Sequence, residues 1–189
     1  MEFQTGQFIA LNCKGLIDSR EYSIYSGEND DYLEILVREV EGGKVSVKLK
    51  KLKVGNEINV NGPFGFFRFD PNQFSSQKFL FIASGTGISP FHSFVRTYPE
   101  LDYQLIHGVR FGNEAYDHCD FEKERVKLCT TGDEIGDFFG RVTDYLFDVK
   151  VDANTNCFLC GNSEMIFETF DILTGKGVPV SNIYSEVYF

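Results

Sequence analysis

The chain of 189 residues has no long apolar run, and its opening Met1-Glu2-Phe3-Gln4 lacks the basic and apolar stretches of a signal peptide. Both absences argue against a membrane span or a secretory leader, so a cytoplasmic protein is expected. Cations are scarce. The 18 Lys and Arg face 28 Asp and Glu, and the net charge of −10 counts against nucleic acid as the main partner. The cysteines Cys13, Cys119, Cys129, Cys157 and Cys160 are odd in number and read as reduced thiols, not as a disulfide framework. No second Cys-x-x-Cys accompanies Cys157 and Cys160, and His92, His107 and His118 lack ligand spacing, so no metal site is expected. Gly-x-Ser-x-Gly and His-Glu-x-x-His are absent, and no nucleophile–base pair stands out, which leaves hydrolase readings without support. There is no internal repeat.

The first 70 residues read as short strands broken by turns. Residues 7–12, 20–25, 32–38 and 57–61 are candidate strands, with turns at 26–31, Gly42-Gly43 and Gly62-Pro63. Such spacing suggests a small antiparallel barrel; residues 44–52 fit a strand or a short helix. After residue 70 the pattern changes. Apolar strands at 78–83, 103–107, 126–129, 156–160 and 183–189 alternate with helices following Pro90, at 140–147 and at 163–173. That alternation predicts a parallel sheet covered by helices. Charge is uneven: residues 1–74 carry 9 Lys and Arg against 11 Asp and Glu (−2), leaving 9 against 17 (−8) for 75–189. Within the first part Lys44, Lys48, Lys50, Lys51 and Lys53 cluster. They read either as a solvated sheet edge or as a docking patch for an acidic redox partner.

Several stretches can carry chemistry. In Arg20-Glu21-Tyr22-Ser23, a strand puts Arg20 and Tyr22 on one face and Ser23 on the other, so a guanidinium, a ring and a hydroxyl can meet one planar, phosphorylated ligand. Gly85-Thr86-Gly87-Ile88-Ser89-Pro90 joins a buried strand to a helix, where glycines let the backbone approach a phosphate. The third glycine of a dinucleotide fingerprint and the Gly-Lys-[Ser/Thr] of a Walker loop are missing, so a plain tight turn stays open. Cys157 and Cys160 would point to opposite faces of a strand. Cys157 reads as core, and Cys160 either as a small buried hydrophobe or as a residue at the ligand edge. His92 is expected on a helix surface and His107 at a strand end. The terminal Glu186-Val187-Tyr188-Phe189 ends on two aromatics, fit for packing or for covering a flat ligand.

In order along the chain, Gly6-Gln7-Phe8, Arg20-Glu21-Tyr22-Ser23, Gly43-Lys44-Val45-Ser46, Gly62-Pro63-Phe64-Gly65, the Gly85–Pro90 loop, His107-Gly108-Val109-Arg110, Gly140-Arg141-Val142, Cys160-Gly161-Asn162 with Met165, and Glu186-Val187-Tyr188 together resemble the ferredoxin–NADP(H) reductase family, bacterial type. The resemblance implies a flavin-binding antiparallel β-barrel, shortened at its start, over 1–74. A Rossmann-like α/β domain with a five-stranded parallel sheet would follow over 75–189. Arg20 with Gly43, Lys44, Val45 and Ser46 would hold the FAD diphosphate. Tyr22 and Tyr188 would flank the flavin, Ser23 would bond near its hydride-accepting nitrogen, and Phe189 would reach the adenine side. Gly85, Thr86 and Gly87 would receive the nucleotide, and Cys160, Gly161 and Glu186 would line the nicotinamide pocket. Arg110 fits a 2′-phosphate contact favouring NADPH. Thr130-Thr131 departs from the family's Ser-Arg pair and keeps NADH open. The implied partner is ferredoxin or flavodoxin, met through Lys44, Lys48, Lys50, Lys51 and Lys53, with a second copy covering the open barrel edge. The alternatives are the reductase component of a multicomponent oxygenase, or a flavin-free regulatory module.

Overall fold

Alternating burial along Phe8–Asn12, with Ile9 and Leu11 inward, makes this segment (β1) the middle of a sheet. In this computed structural model, which describes residues 1–13, 18–69 and 77–188, β1 pairs antiparallel with β2 (Arg20–Ser23) on one side and β3 (Asn59–Phe64) on the other. Among the described residues this unit is a three-stranded sheet and not a closed barrel. Residues 32–38 do not form the expected strand; Ile35 makes only a single bridge, to Ile24. Side chains there take backbone groups that a ladder would need. Asp30 Oδ2 accepts the Gly27 N–H at 2.8 Å and Ser26 Oγ accepts the Glu34 N–H at 3.1 Å. β3 runs through Gly62-Pro63, expected as a turn, because a sheet edge tolerates proline. Residues 44–52 settle as a short helix, α1 (Lys44–Leu49).

Beyond residue 77 the apolar runs form parallel strands: β4 (Phe79–Ser84), β5 (Tyr103–Val109), β6 (Val126–Thr130), β7 (Phe138–Phe139), β8 (Asn156–Gly161) and β9 (Ile183–Val187). The order is β7-β6-β5-β4-β8-β9, six strands where five were expected. The extra strand, β7, is two residues long and pairs with Cys129 and Thr130, too short to leave a periodic signature. Helices α2 (Ser89–Thr97), α3 (Val142–Asp148) and α4 (Ser163–Gly175) cover the sheet. Among the described residues no helix is long and apolar enough to cross a membrane.

β4 shows how the two cores arise. Phe79, Phe81 and Ala83 face one cluster, Leu80 and Ile82 the other. On the first side Phe81 stacks on Phe91 of α2 at 4.7 Å and 7°. Full burial of such a ring contributes about 1.5–3 kcal/mol. Phe67, from the antiparallel half, enters this same cluster and meets Phe158 edge-on at 5.2 Å. The two sheets therefore share one core. Buried hydroxyls fasten them further: Thr5 Oγ1 donates to Ser93 Oγ, which donates to Ser26 O, each at 2.7 Å. The junction expected near residue 74 lies outside the described residues.

Candidate active site

The strand order reverses between β4 and β8, and open parallel sheets gather ligands beyond the carboxyl ends of strands at such a point. Here that point faces β2, and a cleft of about 1160 Å³ runs between the two sheets.

In the middle of the cleft, Ser23 is 4% exposed and its Oγ donates to Glu186 Oε1 of β9 at 2.7 Å. Glu186 stands in register with Cys160, and the Tyr188 N–H donates to Gly161 O at 2.7 Å, so β8 positions both residues. Burial lifts the Glu186 carboxyl above its ordinary 4.5, with the Ser23 hydrogen bond pulling the other way. The Tyr188 hydroxyl is buried beside Ser23 and Cys160 and makes no hydrogen bond. Cys160 lies behind Tyr188, fully buried, and does not form part of the cleft wall. Burial, and then the Glu186 charge, push its thiol up, so it is a protonated core group and not a nucleophile. Cys157 belongs to the core on the opposite side of the sheet, and the two cannot act as a dithiol.

At one end, Gly85 and Thr86 face the cleft. Gly85 has φ +55 and an added Cβ would meet nothing within 4 Å, so its backbone is open to a ligand. Gly87 differs: a Cβ there would stand 2.2 Å from Cys160 O, and the residue lies off the cleft. His107 holds the loop from beneath through Nε2 and Gly85 O at 2.8 Å. A carbonyl only accepts, so the His107 proton sits on Nε2 and Nδ1 accepts from His118 Nε2–H at 2.8 Å. Burial takes His107 down to about 3, so the ring is neutral. Ser84 Oγ receives both the backbone N–H and the Nδ2 of Asn162, while Asn162 Oδ1 caps α4 at Met165 N–H, tying the two strand ends together. Arg110 is exposed at this end, its guanidinium 5.3 Å over the Phe111 ring.

At the other end Arg20, Gly43 and the first residues of α1, Lys44, Val45 and Ser46, line the wall, with Lys44 Nζ 3.0 Å from Asp18 Oδ2. Lys50 pairs with Glu39, and Lys51 and Lys53 are exposed. Phe189 lies outside the described residues. Sequence reasoning assigned no role to Arg38 and Glu114, 3.7 Å apart across the cleft, or to Arg141, 3.7 Å from Glu168. The Gly140-Arg141 step before a helix was a usable signal for Arg141. Nothing local marks Arg38 or Glu114. His92 is not on a helix surface but 2% exposed, because the antiparallel half covers that face of α2.

Residues 1–69 match the family described as the oxidoreductase FAD-binding domain. The ferredoxin–NADP reductase of Azotobacter vinelandii is 27% identical over 212 residues, spanning 96% of this chain and 82% of the relative. The Amycolatopsis cytochrome P450 reductase superposes with a TM-score of 0.88 at 25% identity, over 99% of this chain and 61% of that one. Residues 1–69 thus carry the FAD-binding family's pattern, and the chain as a whole is similar to ferredoxin reductase-type FAD- and NAD(P)-binding oxidoreductases. The glycine betaine monooxygenase reductase subunit of Pseudomonas aeruginosa is 34% identical over 207 residues, spanning 98% of this chain and 56% of the relative. The chain thus spans a little over half the length of this and other oxygenase-reductase relatives, such as the toluate 1,2-dioxygenase electron transfer component of Pseudomonas putida, at 59%. Within the family frame, the matched 1–69 segment carries Tyr22, Ser23 and the cationic end, and the parallel sheet carries the Gly85 loop, Glu186 and Tyr188.

Proposed function

We propose that the protein is an FAD-dependent NAD(P)H oxidoreductase that passes electrons singly to a small redox protein. The observation that carries this reading is the meeting of Ser23, Glu186 and Tyr188 at the middle of a cleft with a cationic end and an open glycine loop. The fit to a flavin rests on the same features. Tyr188 has a buried hydroxyl with no partner at the middle of the cleft, and Arg20, with Lys44 beside Asp18, supplies positive charge at the end where a diphosphate would lie.

Bound FAD would supply a ring able to take hydride from a nicotinamide and release electrons one at a time. The residues do the positioning. Arg20 and residues 43–46 would hold the diphosphate, and Tyr22 and Tyr188 would flank the ring. Ser23 would turn its donor from Glu186 to the ring edge, leaving Glu186 free to accept from the nicotinamide amide. Gly85 and Thr86 would cradle the second nucleotide. Displacement of Tyr188 would admit its ring, uncover Cys160 as an uncharged wall and exclude water. At the nucleotide end Arg110 and Arg141 favour a 2′-phosphate, but Glu168, 3.7 Å from Arg141, offsets one of them, so NADPH should outrun NADH by only about tenfold.

The test is an absorbance titration with FAD, followed by anaerobic addition of NADPH and of NADH. A colourless protein that takes up no FAD would sink the proposal. Ferredoxin or flavodoxin is the first acceptor to try. Reversing the charges of Lys48, Lys50 and Lys51 should slow reduction and weaken its salt dependence if these lysines dock an acidic partner. An oxygenase component is the second reading, favoured by the relatives that are oxygenase reductases. An unchanged ferredoxin rate in the reversed variant would favour it.

A further inference from the structure

A buried imidazole outside the cleft joins its two walls. His92 lies one helical turn after the Gly85 loop, 2% exposed. Its Nδ1 is 2.7 Å from Tyr25 O, two residues beyond Ser23, and its Nε2 is 3.0 Å from Asp120 Oδ2. The imidazole also stacks on the Tyr25 ring at 3.7 Å and 6°, and the Tyr25 hydroxyl donates to Asp117 Oδ2 at 3.1 Å. Arg96 braces the far side, 3.8 Å from Asp120 and 2.8 Å from Asp30. The next carbonyl, Ser26 O, is held by Ser93 Oγ.

Both ring nitrogens face acceptors. The carbonyl of Tyr25 can only accept, so Nδ1 donates to it, and Nε2 faces Asp120 Oδ2. The ring therefore cannot rotate without losing a directional bond at each nitrogen and its stack. Ser23 and Tyr22 stand on the flavin side of the cleft, Gly85 and Thr86 on the nucleotide side. The connection between them is two residues of chain, one 2.7 Å hydrogen bond and one turn of helix.

We propose that His92, held by Asp120 and Tyr25, is a positioning residue that sets the distance between the hydride-donating and hydride-accepting rings. It touches neither ring. The inference rests on the function proposed above. A donor–acceptor displacement of about 1 Å can cost about a hundredfold in rate while leaving binding at either end intact.

The test uses His92→Gln, which keeps one donor for Tyr25 O but loses the stack and one of the two directional bonds. FAD content, NADP⁺ affinity by spectral titration, the single-turnover rate of flavin bleaching by NADPH, and the long-wavelength absorbance of nicotinamide stacked on flavin are compared with the parent. The expected result is FAD content and NADP⁺ affinity within about twofold, bleaching slower by about 10- to 100-fold, and a weakened long-wavelength band. An unchanged rate and band overturn the proposal, as does a loss of FAD or nucleotide affinity that accounts for the whole rate, which is what a merely structural prop would give. Should His92→Gln fail to fold, Asp120→Asn, at a partly exposed turn, decides by the same criteria. If the parent takes up no FAD, the functional reading fails and this proposal with it; a flavin-loaded parent with an unaffected variant removes only the proposal.

Discussion

Alanine at Gly87 and at Gly85 should separate packing from ligand approach within one four-residue loop. At Gly87 the new methyl stands 2.2 Å from Cys160 O and 2.6 Å from the carbonyl carbon, both backbone atoms of β8, so no side chain can swing away. Overpacking of this kind costs about 1–3 kcal/mol. At about 2–4 °C per kcal/mol for a chain of this size, Gly87→Ala should melt about 2–12 °C below the parent. At Gly85 the methyl meets nothing within 4 Å, and the penalty comes from φ +55 alone. That is about 1 kcal/mol, or about 2–4 °C. The binding effects run the other way. The Gly85 methyl projects into the space where nucleotide phosphates would lie, so NADP⁺ affinity should fall about tenfold, a loss of about 1.4 kcal/mol. Gly87→Ala, off the cleft, should change it by less than about threefold. Thermal unfolding followed by circular dichroism gives the first pair of numbers, and titration of the flavin-loaded protein gives the second. A Gly87→Ala protein that melts with the parent, or a Gly85→Ala protein that binds nucleotide normally, would refute the division of labour.

Two predictions concern pH and one concerns the flanking rings. His107 is neutral with its folded value near 3 against 6.5 when exposed, so its contribution to stability is full above 6.5 and lost as pH falls toward 3. The slope is at most about 1.4 kcal/mol per pH unit. His107→Gln, which keeps a donor for Gly85 O, should flatten the acid limb of a Tm-versus-pH curve; an unchanged limb would count against the burial argument. Glu186 behaves oppositely. Its raised value means stability is full below 4.5 and falls as pH rises through the folded value, so the Tm of Glu186→Gln minus that of the parent should grow with pH above 4.5. Finally, Tyr188→Ser should leave flavin bound but alter its spectrum and nicotinamide affinity, whereas Tyr22→Ser should weaken flavin binding; equal FAD affinities in the two variants would contradict the proposed flanking.

The parallel sheet was the most legible part of the chain, because strands buried on both faces, such as Phe79–Ser84, are continuous apolar runs. The antiparallel half was harder. Its residues 32–38 have strand composition, but Ser26 and Asp30 draw the backbone into turn contacts that no strand pattern reveals. β7 pairs with the edge of β6, and two residues are too few for the strand preference of Phe138-Phe139 to show as a pattern. At the site, Arg20, Tyr22, Ser23, Glu186 and Tyr188 were legible through their order along the chain, and the structure brings all five to one cleft. Cys160 sits on the right strand end yet one layer too deep, since Tyr188 folds over it. His92 was misread because its burial depends on residues more than 60 positions earlier, such as Tyr25 at a separation of 67. Local periodicity carries no trace of such a cover.

The hydrogen bond between Ser23 and Glu186 joins residues 163 positions apart. At translation speeds of about 5–20 residues per second, roughly 8–30 s separate the appearance of the hydroxyl from that of its carboxyl partner. For most of that interval Tyr22 and Ser23 belong to a sheet whose three strands have all been made, while the group that completes the middle of the cleft has not. Chains stalled before β9 would carry both walls of the cleft, with Ser23 on one and Gly85 on the other, but neither Glu186 nor Tyr188 between them.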